Sequence, residues 1–217
     1  MNQPAIKRYL IVAGNIGVGK SSLVELLCRK LGWQPFFEPE AENPYLADFY
    51  QNMQTWGFHS QIFFLAHRLD LHQNLLTFPG SIILDRSIYE DAEIFAHNLY
   101  LQGNLSSRDY ETYSTLYKSV VRLLPPPDLV IYLRAPVATL LERISRRGRA
   151  YEASIDPDYL ARLNQLYESW ISEFSLSPVL TIPADRLDYV ARPEHLDLVV
   201  SRILDKLAGK DEVHFDD

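Results

Sequence analysis

Gly14-Asn15-Ile16-Gly17-Val18-Gly19-Lys20-Ser21 sets three glycines, a lysine and a hydroxyl in the pattern GxxxxGK[ST]. Glycines let a backbone wrap around a phosphate with its N–H groups turned inward. A helix opening behind such a loop adds the partial positive charge of its N-terminus. At this offset Lys20 reaches the β- and γ-phosphates, and the Ser21 hydroxyl, with Ser22 behind it, is placed for a nucleotide and its Mg²⁺. An ordinary glycine turn explains the glycines but not the Lys-Ser pair at the right position.

Phosphoryl transfer also needs a positioned nucleophile, a metal ligand and cations for the developing charge. Glu38 is a candidate proton acceptor for an attacking hydroxyl. Asp85 is a candidate Mg²⁺ ligand, directly or through water, and Arg86 beside it can fix the Glu38 carboxylate and a substrate oxygen. Each alone reads as a helix cap or a solvated loop residue. Arg143, Arg146, Arg147 and Arg149 put four arginines within seven residues. Arg146 reads as a solvated helix face. Gly148 breaks the helix between Arg147 and Arg149, which suits a flap whose arginines close over transferring phosphate.

The elements that must position these groups follow from periodicity and punctuation. Tyr9–Ala13 is a continuous apolar run and reads as a buried strand; Leu23, Leu26, Leu27 and Leu31 recur at helical spacing, with Gly32 as the stop. Gln34–Phe37 reads as a short strand delivering Glu38. Asn43 with Pro44 predicts a capped helix to about Asn52, and a longer helix is expected over about 58–76. Ser81–Leu84 is a third strand. Ser87 and Glu90 form a capping-box pattern for a helix toward Leu101, and Ser106 with Asp109 caps another to about Leu123. Asp128–Leu133 and Val179–Ile182 are the remaining strands, with helices at about 137–146, 157–174 and 193–207. Alternation of this kind predicts an α/β fold: a five-stranded parallel sheet covered by helices on both faces. The glycine loop, Glu38 and Asp85-Arg86 each follow a strand, so they converge at the carboxyl edge where such sheets bind ligands.

The chain has 217 residues, 47% hydrophobic and 23% charged, with one cysteine, Cys28. One domain over 1–209 is expected, followed by a frayed acidic tail at 210–217. No apolar run reaches membrane length and no secretory leader is seen, so a cytoplasmic enzyme is the expectation. The net charge of −7 argues against a nucleic-acid coat.

The glycine loop, Glu38-Pro39, Asn43-Pro44-Tyr45-Leu46, Trp56 through Gln61 and Arg68, Asp85-Arg86-Ser87, and Arg143-Ile144 through Arg147-Gly148-Arg149 resemble the deoxyribonucleoside kinase family. WGFHSQIFFLAHR and DRSIYEDAEIFA are most similar to its bacterial deoxyadenosine/deoxycytidine kinases. The resemblance implies a P-loop kinase fold with an arginine-rich lid, and transfer of the ATP γ-phosphate to a deoxynucleoside 5′-hydroxyl with Mg²⁺. It implies Glu38 as general base, Arg86 as its orienting arginine, and Arg143, Arg147 and Arg149 as lid arginines. Tyr50 and Glu152 match the pair that holds the sugar 3′-hydroxyl. Gln61 matches the reader of the base edge, beside Phe64, Arg68 and Asp91. Asp188-Tyr189 falls near the adenine loop, and a homodimer is implied. From the sequence alone, Gln61 reads as a surface glutamine and Tyr50 as a packing aromatic. Tyr151 stands where some relatives carry an acid, and Phe64 is bulkier than its counterpart in some deoxycytidine-preferring relatives.

Deoxyadenosine and deoxycytidine are the favoured substrates on this reading. Deoxyguanosine or thymidine preference remains open, as does a P-loop switch that hydrolyses nucleotide for a partner. The switch needs neither an aligned proton acceptor nor an arginine flap.

Overall fold

The computed structural model describes residues 7–37, 43–149, 152 and 155–209. Glu38, Tyr151 and the tail at 210–217 therefore lie outside the described residues. The strands are β1 (Tyr9–Gly14), β2 (Gln34–Phe36), β3 (Ile82–Asp85), β4 (Leu129–Arg134) and β5 (Val179–Pro183). They pair in the order β2-β3-β1-β4-β5, all parallel, as the alternation of elements predicts. β1 is central and buried along its whole length, which is why its sequence is continuously apolar rather than alternating.

Helices cover both faces. α1 (Lys20–Leu31) packs on β1, β2 and β3 and meets α9 (Pro193–Leu207). The other long helices are α3 (Met53–Thr77), α6 (Ser107–Val121), α7 (Val137–Arg147) and α8 (Pro157–Glu173). Between β3 and α6 the chain runs through α4 (Ile88–Glu90), a π-helical segment (Asp91–Ala96) and α5 (His97–Leu101). The π segment packs against α3, α6 and α8.

Two expectations are corrected. Asn43 does not cap a helix with Pro44 in its first turn. Its Oδ1 accepts the Tyr45 N–H at 2.9 Å, forming a turn, and α2 (Leu46–Gln51) begins only afterwards. α3 starts at Met53, five residues before Phe58, because the Asn52 side chain accepts the Thr55 N–H at 3.0 Å and caps it there. Gly57 then sits inside a helix, where glycine costs about 1 kcal/mol against alanine. Close packing offsets that cost, since a Cβ at Gly57 would stand 3.3 Å from the Asn104 carbonyl oxygen. The π turn is a further departure from the regular helix expected after Ser87, and it is at such wide turns that functional side chains are often found.

Candidate active site

The glycine loop leaves β1 at Gly14 and enters α1 at Lys20. Gly14 and Gly19 have φ of 146° and 105°, where side chains are strained. Space is also closed: a Cβ at Gly14 would lie 2.7 Å from the Leu133 carbonyl oxygen, and one at Gly19 would lie 2.8 Å from the Tyr189 hydroxyl. Asn15 fastens the loop from below. Its Nδ2 donates to the Leu160 carbonyl at 3.0 Å and to Asn164 Oδ1 at 2.7 Å, both on α8. Lys20 Nζ donates to the Gly14 and Asn15 carbonyls at 2.8 and 3.1 Å, so the ammonium lies across its own loop.

β3 ends beside β1 in the sheet, and this brings Asp85 to Ser21. Ser21 Oγ donates to Asp85 Oδ2 at 2.5 Å. The other carboxylate oxygen, Oδ1, is buried and has no hydrogen-bond partner among the described residues. Arg86 takes a left-handed backbone with φ of 65°, unusual for a side chain of its size. Its guanidinium carbon lies 4.3 Å from the Phe95 ring centroid, a cation–π contact.

A narrow cavity beside this edge is lined by Tyr50, Gln61, Phe64, Arg86, Asp91 and Glu152, together with Phe95 and Tyr159. Gln61 is 4% exposed and its Oε1 has no hydrogen-bond partner among the described residues, so the surface reading of this residue is wrong. Sequence periodicity missed this because α3 packs against α2, α6 and the π segment, so more than one of its faces is covered. Arg68 does not line the cavity; it stands behind Asp91, with Nε 2.9 Å from Asp91 Oδ2 and both side chains at least 97% buried.

A second, larger cavity of about 960 Å³ lies over the glycine loop. Gly17, Lys20, Ser21, Ser22, Asp85, Arg143, Arg147, Arg149, Asp188 and Tyr189 all line it. Arg143 bridges two segments, donating to the Val18 carbonyl at 2.6 Å and the Ala184 carbonyl at 2.7 Å. Arg147 donates to Glu152 through Nε at 3.1 Å and Nη2 at 2.5 Å, and Arg149 Nη1 is 3.5 Å from the same carboxylate. Arg146 is exposed and pairs with Glu142 one turn away, a solvated pair. Tyr189 is buried beside Gly19, and burial pushes its hydroxyl pKa up to about 12. Asp188 instead shapes a turn, its Oδ1 accepting the Ala191 N–H at 2.9 Å.

Sequence reasoning missed Arg186 and Arg192, two more cations on this cavity, which stand apart in sequence and belong to no motif. It also took Glu90 for a helix cap alone. Glu90 is that, but its Oε1 also accepts the Gly14 N–H and the Tyr167 hydroxyl. Nothing in the local pattern signals contacts 76 and 77 residues away.

A parallel sheet with a phosphate-binding loop on its central strand, a carboxylate at the end of the neighbouring strand and a cation-lined cavity above defines a P-loop phosphotransferase. The chain belongs to the deoxynucleoside kinase family, whose sequence model matches residues 10–208. It is 37% identical over 196 residues to a deoxyadenosine/deoxycytidine kinase of Bacillus subtilis (strain 168), covering 89% of this chain and 90% of the relative. It is also 37% identical over 207 residues to a deoxyguanosine kinase of Lactobacillus johnsonii, covering 91% and 92%. Among solved structures it is similar to the deoxyadenosine kinase of M. mycoides with products dCMP and a flexible dCDP bound. That match has a TM-score of 0.81 and 32% identity, covering 90% of this chain and 98% of the other. The same M. mycoides enzyme with bound dATP matches at a TM-score of 0.79, 32% identity and coverage of 91% and 99%. The chain is thus an ATP-dependent kinase that phosphorylates the 5′-hydroxyl of a deoxyribonucleoside.

Proposed function

We propose that the enzyme favours deoxyadenosine and deoxycytidine. The carrying observation is the buried Asp91 carboxylate on the cavity wall, held by Arg68 Nε at 2.9 Å. A carboxylate only accepts hydrogen bonds, so it suits the amino group of adenine or cytosine and opposes the thymine oxygen. Gln61 can serve either base pattern by turning its amide and does not choose alone. Relatives acting on deoxyadenosine/deoxycytidine and on deoxyguanosine are equally identical to this chain, so identity does not decide the base. Steady-state turnover of the four deoxynucleosides with ATP tests the reading. Deoxyadenosine and deoxycytidine should lead by roughly 5- to 150-fold over thymidine, the worth of one mispaired buried polar group. A lead for thymidine or deoxyguanosine would overturn it.

In the reaction we assign, Glu38 takes the proton of the 5′-hydroxyl while Arg86 orients that oxygen. The glycine-loop amides and Lys20 hold the donor's phosphates. Tyr50 and Glu152 hold the sugar, and Arg143, Arg147 and Arg149 form a lid whose cations balance charge on the phosphoryl group in flight. Asp188-Tyr189 flanks the donor's adenine.

Ser21 and Asp85 fit Mg²⁺: a hydroxyl and a carboxylate stand together, and the carboxylate has a buried oxygen to spare. Among the described residues no cluster of three or more His, Cys, Asp or Glu forms a metal cage. One carboxylate with a hydroxyl is the usual protein share where substrate phosphates and water complete the shell. Bound there, the ion would neutralise donor phosphate charge. A homodimer through the helices after Arg86 is part of this proposal, supported by the exposed Tyr100, Leu101 and Leu116 on α5 and α6. No helix among the described residues is long and apolar enough to cross a membrane.

A further inference from the structure

Glu90 is fully buried and takes no part in the chemistry assigned above. Four donors converge on its carboxylate. Oε1 accepts the Gly14 N–H at 3.1 Å and the Tyr167 hydroxyl at 2.9 Å. Oε2 accepts the Ser87 N–H at 2.9 Å and the Ser87 hydroxyl at 3.1 Å. Three separate elements therefore meet on one side chain: the first residue of the glycine loop, the residue next to Arg86, and α8.

The pairing demands a carboxyl group and rejects an amide. Each oxygen receives a backbone N–H, which no side-chain substitution can remove, and each also receives a hydroxyl. A glutamine must set its NH₂ against either the Gly14 or the Ser87 amide, donor facing donor, leaving a buried N–H unpaired. Burial pushes the Glu90 carboxyl above its ordinary pKa, and the cations of Arg86 and Lys20, with the bonds from Gly14 and Tyr167, act against that rise. The same contacts bear on the strained backbone at Arg86. Its left-handed φ is held from two sides: the Arg86 N–H donates to the Val12 carbonyl at 3.1 Å, and Ser87 is pinned by both its amide and its hydroxyl.

We propose that Glu90 is a positioning residue for phosphoryl transfer, a two-sided strut that fixes Arg86 relative to the start of the glycine loop. The 5′-oxygen and the γ-phosphate are aligned by groups on opposite ends of this strut, so its loss misaligns the reactants without removing a binding contact. The inference rests on the roles given to Arg86 and the glycine loop under Proposed function.

The test compares Glu90→Gln, Tyr167→Phe and Arg86→Ala with wild type, scaling kcat to the fraction of protein that binds ADP. For Glu90→Gln, kcat should fall by roughly 10- to 100-fold, the range set by misplacement of about 1 Å. The deoxynucleoside KM should stay within about 3-fold, since ground-state contacts survive. Tyr167→Phe removes one of four donors and should lower kcat a few-fold with the same split; it remains informative if Glu90→Gln does not fold. If kcat of the Gln variant stays within about 2-fold of wild type, or KM rises as far as kcat falls, Glu90 is no strut. A silent Tyr167→Phe alongside an unfolded Glu90→Gln would count the same way. Arg86→Ala separates the two readings. A neutral effect there overturns the site assignment itself, whereas a severe effect beside a neutral Glu90→Gln overturns the strut alone.

Discussion

Arg147 and Glu152 form a two-point ion pair across the bend after α7, with the carboxylate 4% and the guanidinium 35% exposed. Glu152 lines the narrow cavity, and Arg147 lines the larger one over the glycine loop. One contact thus joins the wall of the narrow cavity to a cation of the larger one. If Arg147 acts on the transferring phosphate as proposed, Arg147→Ala should lower kcat by more than it raises the nucleoside KM. Arg146→Ala should be nearly neutral, since its partner is an exposed Glu142 worth little. Parallel kinetics on the two variants decide the matter; equal small effects would remove Arg147 from the mechanism.

Glu38 lies outside the described residues, and its role is tested by chemistry. Glu38→Gln keeps shape and loses basicity, so kcat should fall by roughly 10²–10⁴. Binding of ATP, measured by calorimetry, should persist because the glycine loop is a separate structure. Near-normal turnover would reassign the proton acceptor.

Base choice is tested at Arg68 and Asp91. Removing one partner alone would strand a buried charge at a cost of about 3–5 kcal/mol, so the pair is replaced together. Arg68→Met with Asp91→Ala should raise thymidine activity and depress deoxycytidine activity. An unchanged ratio of the two kcat/KM values would show that these residues do not read the base.

Acid stability should carry the mark of His72. Its Nδ1 lies 2.9 Å from the Arg68 carbonyl and its Nε2 3.1 Å from the Tyr9 hydroxyl. The neutral ring with the proton on Nδ1 satisfies both contacts. Burial lowers its pKa below the ordinary 6.5. Above pH 6.5 the ring is neutral in folded and unfolded chains alike, and His72 contributes no pH dependence. As pH falls below 6.5 the unfolded chain takes up a proton that the folded chain refuses, and stability declines. Urea unfolding of wild type and His72→Gln between about pH 7 and 5 should show a steeper loss for wild type. Parallel slopes would mean that His72 titrates normally in the fold.

The sheet was legible in the sequence because β1 and β4 are buried on both sides and so carry unbroken apolar runs. The glycine loop was legible because its requirements are local. The opening of α3 was not: a lone Asn52 caps it, and Gly57 sits inside it where an added Cβ would crowd the Asn104 carbonyl. Of the candidate site, the convergence of the glycine loop and Asp85 at one sheet edge was legible because each follows a strand; the pairing of β1 with β3 that brings Ser21 to Asp85 was not. The burial of Gln61 was not, because α3 is covered on several sides, by α2 just before it and by α6 and the π segment from further along the chain. Glu90 shows the limit most clearly. Its capping role is written within four residues, whereas its bonds to Gly14 and Tyr167 exist only in the folded chain.

The wide turn at Asp91–Ala96 also sets a phase. Asp91 and Phe95 lie in it and line the narrow cavity, while His97 and Tyr100, just beyond, stack with Tyr110 of α6. A π turn advances the chain by one residue more than an α turn, so residues before and after it are offset around the helix axis by about 100° relative to an uninterrupted α-helix. The pocket residues thus lie within the slip and the outer stack just after it. Deleting one residue from this segment would restore a regular helix and turn the two faces out of step, even with every pocket side chain still present.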